Sequence, residues 1–303
     1  MSKGQLVARN AAFLFGSQLV TWSLSALMWV IVPRAVGPSE WGEYTLACAI
    51  IGVASAVVGL GISVLLIKEI ARAPERAGEF IGAGIIARLL MSLPLLALIW
   101  GTALVAPYTV HTRIILAILT VWGLIVFVAS PLGAGVSAFE KMHITGLGEI
   151  VNNALVALGA VFLVLALHAG MISIAIVCVV GQLLVAGLDL WALGKVTRIR
   201  LRVSASLVRF VIVGSIPYWI SGLVLTFYIW VDSVILSILT VTTVVGWYGV
   251  TSRVFAALLF VPTILCTALA PALSHSFRHD PDQHRALMRR GFRLIVGLGL
   301  PMA

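Results

Sequence analysis

Three ionisable side chains lie well inside apolar sequence: Arg88, Asp232 and Arg253. An ionised group near a bilayer centre costs roughly 2.5–3.5 kcal/mol on insertion scales, so a chain that keeps such groups is expected to have a polar interior for them. An arginine fork stays charged and can hold two oxygens at once, which suits phosphate. Arg253 and Arg88 are therefore candidate anion-binding residues. Asp232 could take part in proton or sodium coupling, or balance Arg253. Gly214, Tyr218, Ser221, Tyr228 and Asp232 share a helical face at about 100° per residue, with Leu225 interrupting. That face either lines a cavity or hydrogen-bonds to neighbouring helices. Arg88 either binds substrate or snorkels toward the cytoplasmic headgroups. Gln18, Thr21 and Ser25 recur at helical spacing and read as cavity or helix-packing positions.

The elements that must position these groups are membrane spans. Of the 303 residues, 61% are apolar and only 10% charged, with a mean hydropathy of +1.13. An average soluble domain is about 25% charged. The chain reads as an all-α integral membrane protein, a polytopic bundle. Eight complete spans are expected at 10–34, 43–67, 80–106, 112–135, 147–168, 170–193, 209–240 and 244–273. The last two are expected to meet in a turn near Thr243–Gly246. A ninth starts at Leu294 and stops at Ala303, so the sequence reads as a C-terminally truncated fragment. The apolar run 11–33 is too long for a signal-peptide core.

Sixteen of the twenty basic residues fall in segments on one face, and only Arg34 and Arg113 on the other. This bias places the N-terminus in the cytoplasm. It also accounts for the net charge of +9 without nucleic acid. Trp29, Trp41, Trp100, Tyr108, Trp230, Trp247 and Tyr248 fall near outer span ends, as an interfacial belt would. The basic stretch 195–208 divides a first six-helix lobe, 1–194, from the start of a second, 209–303.

A short repeat links the two parts. Gly42-Glu43-Tyr44 opens the second span, and Gly246-Trp247-Tyr248 opens the eighth. A repeated lobe with its site at the lobe interface is a recurrent transporter architecture. Glu149, Asn152 and Asn153 read as the cytoplasmic start of the fifth span, where Glu149 would favour a helix N-terminus. Asp189 shares a face with Gln182 near a cytoplasmic end. Cys48, Cys178 and Cys266 fall in three separate spans, with no metal or disulfide spacing, and read as core residues. No phosphate-loop, G-x-S-x-G or H-E-x-x-H pattern occurs. Enzymatic chemistry has no visible home, and no cofactor or metal is expected.

The run Val32-Pro33-Arg34-Ala35-Val36-Gly37-Pro38-Ser39-Glu40-Trp41-Gly42-Glu43-Tyr44 resembles the first outer loop of Wzx-like polysaccharide exporters. These belong to the multidrug/oligosaccharidyl-lipid/polysaccharide exporter superfamily. Gly59-Leu60-Gly61 with Lys68-Glu69, then Asp232-Ser233, Gly246-Trp247-Tyr248 and Ala270-Pro271, are similar to later family segments. Pro33-Arg34 stands where the pattern has Ala-Arg. The resemblance implies two lobes around a central cavity, in a bacterial inner membrane. It implies flipping of an undecaprenyl-diphosphate-linked oligosaccharide to the outer leaflet, with a coupling proton or sodium ion. The lipid bilayer and glycan polymerase or assembly proteins are the implied partners. A small-molecule exporter of the same superfamily and a non-transporting assembly scaffold are the alternatives.

Overall fold

The computed structural model describes residues 3–106, 108–139, 142–252, 288–289 and 292–293. The helices are α1 (Lys3–Val36), α2 (Pro38–Val58), α3 (Ile62–Arg72), α4 (Ala77–Val105), α5 (Val110–Ala138), α6 (Met142–Leu167), α7 (Met171–Gly194) and α8 (Ala205–Leu239). A helical segment continues over 242–252. Residues 1–249 form one compact unit and 250–303 a second; in the latter, the described residues are helical.

Segments Pro38–Val58, Pro74–Val105, Val110–Ala138, Ile144–Leu167 and Met171–Gly194 are each long and apolar enough to cross a bilayer. Their outer faces are apolar too: Leu93, Leu104 and Phe162 are 69%, 81% and 61% exposed. Helices that are apolar all round belong in lipid. The polytopic, all-helical expectation is met. Within the first unit, α1 packs on α6, α7 on both α5 and α6, and α8 on α2, α3 and α4.

The expected second span, 43–67, is not one helix. It starts at Pro38 and breaks at Gly59-Leu60-Gly61 before α3. Leu60 and Gly61 take φ of 51° and 64°, which ends right-handed winding. A β-carbon at Gly61 would also meet Trp219 N at 2.8 Å, so the break lets α8 come in against the backbone. Carbonyls in the last turn of a helix lack their usual donors. One is met from outside, where Trp219 Nε1 donates to Ala56 O at 2.8 Å. Trp219→Phe is expected to leave that carbonyl unmet at a cost of about 1–3 kcal/mol. Thermal unfolding of the purified variant measures it, and an unchanged Tm would show that the bond contributes nothing.

The turn between the last two spans also moves. α8 ends at Leu239 and helix resumes at Thr242, so the turn is at Thr240–Val241 rather than Thr243–Gly246. This places Gly246 inside a helix, facing Gly42. A β-carbon on Gly42 would stand 1.9 Å from Thr242 O, and one on Gly246 would stand 1.9 Å from Pro38 O. Each glycine meets the carbonyl four residues upstream of the other. The G-x-Y repeat is thus a reciprocal contact in which two helix backbones touch. Ser39 Oγ and Thr242 Oγ1 lie 3.3 Å apart beside it.

Two further expectations change. Trp41 is 2% exposed and stacks near Tyr44, so it belongs to the core and not to the aromatic belt. Glu149 is two turns inside α6, which begins at Met142, so it does not cap a helix start. The basic connector 195–208 is tied to α4: Arg200 N donates to Gly78 O at 3.0 Å, and Arg200 Nη1 reaches Glu79 Oε1 at 3.2 Å. Cys48 and Cys178 are buried, as expected, while Cys266 lies outside the described residues.

Candidate functional site

Arg88 lies eleven residues into α4, roughly 17 Å along the helix axis at 1.5 Å per residue. It is 7% exposed, so its guanidinium does not snorkel to the headgroups. The group lies over the helix break: a β-carbon on Gly59 would stand 3.3 Å from Arg88 Nη1. The ring of Phe127, on α5, has its centroid 4.3 Å from the guanidinium carbon. A desolvated cation over an aromatic face gains about 2 kcal/mol. Removing a charge from water still costs several kcal/mol unless it is paired. Among the described residues no carboxylate pairs with Arg88, and its buried Nε has no hydrogen-bond partner. The residue is a cation short of an anion.

It lines a pocket of about 320 Å³. Ser55 and the Gly59–Gly61 backbone form one wall, Phe127 and Ser130 a second, and Tyr218 and Trp219 a third. Among the described residues, no acidic one lines it. Lys68 Nζ, on α3, donates to Tyr218 Oη at 2.8 Å, so an exposed cation stands behind one wall. The assembly depends on local breaks. Glycine at 59 leaves room for the guanidinium, and the unwound 59–61 segment turns backbone toward a cavity, where irregular structure is tolerated within a membrane.

The expected α8 stripe divides. Tyr218 is in the pocket with Arg88. Gly214 packs toward Leu65, where a β-carbon would be 3.3 Å from Cδ2. Tyr228 is 76% exposed and outside the pocket. At 100° per residue it is about 80° around the helix from Tyr218. Asp232 sits elsewhere, accepting from Ser233 N at 2.6 Å and from Tyr248 Oη. Tyr248 is the last residue of the second G-x-Y, so the repeat also anchors Asp232. Gln18 lies on α1 and Ser221 on α8, with side chains outside the described residues, as is all of Arg253.

Lys68, Phe127, Ser55, Ser130 and Trp219 were not sequence candidates. Lys68 was absorbed into the charge count of a loop. The others are ordinary span residues, distinguished only by facing Arg88. Asp189, read as a near-interfacial residue, is 8% exposed and lies against Gly133.

A family model described as polysaccharide biosynthesis protein matches residues 7–277. The chain belongs to the polysaccharide biosynthesis protein family. Among curated proteins no sequence match was found. Solved structures share the fold of this family member. One is an inward-facing multidrug resistance MATE-family transporter of the MOP superfamily: TM-score 0.70, 12% identity, 93% of this chain and 68% of that one. An outward-facing MATE-family transporter of that superfamily gives 0.59 and 15%, covering 97% and 76%. A MATE protein in a bent conformation gives 0.55 and 14%, covering 98% and 80%. The fold is that of MOP-superfamily transporters, as the outer-loop motif implied.

Proposed function

We propose that this polysaccharide biosynthesis family member is a transporter that flips an undecaprenyl-diphosphate-linked oligosaccharide from the cytoplasmic to the outer leaflet. One observation supports the reading: among the described residues, Arg88 is a buried cation without an anionic partner, in a pocket that no acidic residue lines. A diphosphate supplies the missing charge, and a guanidinium fork matches its oxygens. Tyr218 and Lys68 would add donors on the cytoplasmic side. Arg253 remains the second proposed cation, and Asp232, held by Tyr248, a proposed coupling group for a proton or sodium ion.

The test is a leaflet-sidedness assay. Cells lacking the gene are expected to retain lipid-linked glycan in the inner leaflet and lose surface polysaccharide, and returning the gene is expected to reverse both. Normal surface polysaccharide in the deletion, with altered drug or dye sensitivity, would overturn this reading in favour of small-molecule export.

A further inference from the structure

Two grooves beside the start of α8 share one cation. The connector lies against α4 where that helix has no side chains: a β-carbon on Gly78 would stand 2.1 Å from Arg198 O, and one on Gly82 1.8 Å from Arg200 O. The chain then enters α8 through Ser204. This seating leaves a cleft of about 450 Å³ between α4 and α8, lined by Ile86, Leu90, Val203, Val208 and Ile212, together with Arg209. Arg209 also lines a second groove, of about 690 Å³, with Phe210 and Val213. We propose that Arg209 and these two grooves form a binding site for a diacyl phospholipid of net negative headgroup, with the phosphate on the guanidinium and one acyl chain in each groove.

Helix geometry sets the two grooves apart. At about 100° per residue, Val208 and Ile212 lie about 60–100° to one side of Arg209, and Phe210 and Val213 about 40–100° to the other. The cation stands between two apolar channels, as a headgroup stands above two chains. The same count puts Tyr218 about 180° from Arg209 on α8, and Ile86 and Leu90 each about 160° from Arg88 on α4. The grooves are therefore on the sides of both helices turned away from the Arg88 pocket, with which they share no lining residue. Leu90, Phe210 and Val213 are exposed there, as lipid-facing residues are.

Charge decides which lipid fits. Arg209 is exposed, and among the described residues no carboxylate pairs with it and no acid lines either groove. Glu79, on α4 two turns before Ile86, is already held by Arg76 Nε at 3.3 Å and Arg200 Nη1 at 3.2 Å. Arg202, next to Val203, is a further exposed cation. The surroundings are thus net positive. A guanidinium takes phosphate oxygens two at a time. A net negative headgroup brings nothing that these cations repel, whereas a zwitterionic one brings an ammonium that they do. The site needs no transported substrate, so it stands or falls apart from the flippase reading.

The experiment is native mass spectrometry of the full chain, released from a neutral detergent that contains phosphatidylglycerol or phosphatidylcholine with the same acyl chains. The chain is expected to retain phosphatidylglycerol about tenfold better, the size of one charge-assisted contact. Arg209→Gln is expected to remove that preference and leave phosphatidylcholine as it was. Arg198→Gln is the control: it removes an exposed cation of the same basic stretch that lines neither groove, and should cost markedly less. Phosphatidylglycerol with a single chain is expected to bind several-fold more weakly than the two-chain form. Val213→Trp, which fills the second groove from an exposed position, is expected to erase that difference. All three positions are exposed, so the variants should unfold at the same temperature as the original chain when no lipid is added. Retention of both lipids equally, retention of neither, an equal loss in Arg209→Gln and Arg198→Gln, or a two-chain preference that survives Val213→Trp overturns the proposal.

Discussion

Gly42→Ala and Gly246→Ala are each expected to lower the Tm by roughly 4–8 °C, the shift for about 2 kcal/mol in a chain of a few hundred residues. The clash is with backbone: a β-carbon at either site would sit 1.9 Å from a carbonyl oxygen, Thr242 O or Pro38 O. No side-chain rotation relieves that, so the two helices must part. Once one alanine has parted them, the second meets less resistance. The double variant should therefore cost clearly less than the sum of the singles. Gly101→Ala is the control. It lies within α4 with nothing within 4 Å of the added carbon, and should be neutral or stabilising by up to about 1 kcal/mol. Thermal unfolding in detergent measures all four variants. Equal, additive effects at Gly42, Gly246 and Gly101 would mean that glycine content, and not backbone contact, governs the result.

Arg88→Met is expected, on the proposed function, to slow flipping by 10- to 100-fold while leaving the Tm unchanged or raised. The rate loss follows from charged hydrogen bonds worth about 1.5–3 kcal/mol each. The stability result follows from burial: a cation over Phe127 with no carboxylate partner among the described residues is a cost to the fold, which a thioether of similar length removes. Arg88→Lys should fall between, since it keeps the charge and loses the planar fork. The measurements are transfer of a labelled lipid diphosphate across proteoliposomes and unfolding of the same preparations. If Arg88→Met flipped normally, the pocket would have no part in binding. If it unfolded several degrees lower, Arg88 would be a packing residue.

Composition determined that this is a membrane protein, and apolar runs of about twenty residues, where a barrel would alternate, determined that it is helical. The positions of most helices and the family motif were equally legible. Each depends on local sequence read over about twenty residues. Arg88 could be picked out for the same reason, as a lone cation in an apolar run.

What Arg88 touches could not be read. The break at Gly59–Gly61, the approach of Phe127 and the indole of Trp219 on Ala56 O join residues up to 163 positions apart in sequence. The G-x-Y repeat was visible as a pattern, but its meaning was not. Spacing along one helix carries no information about which backbone lies 2 Å from where a side chain would be. The same holds for Glu43, which reads only as the first residue of an expected span and is a buried partner of His111. Sequence fixes periodicity and solvent preference because these are properties of one helix. Only tertiary packing decides whether a charge inside such a helix is paired, shared or left for a ligand.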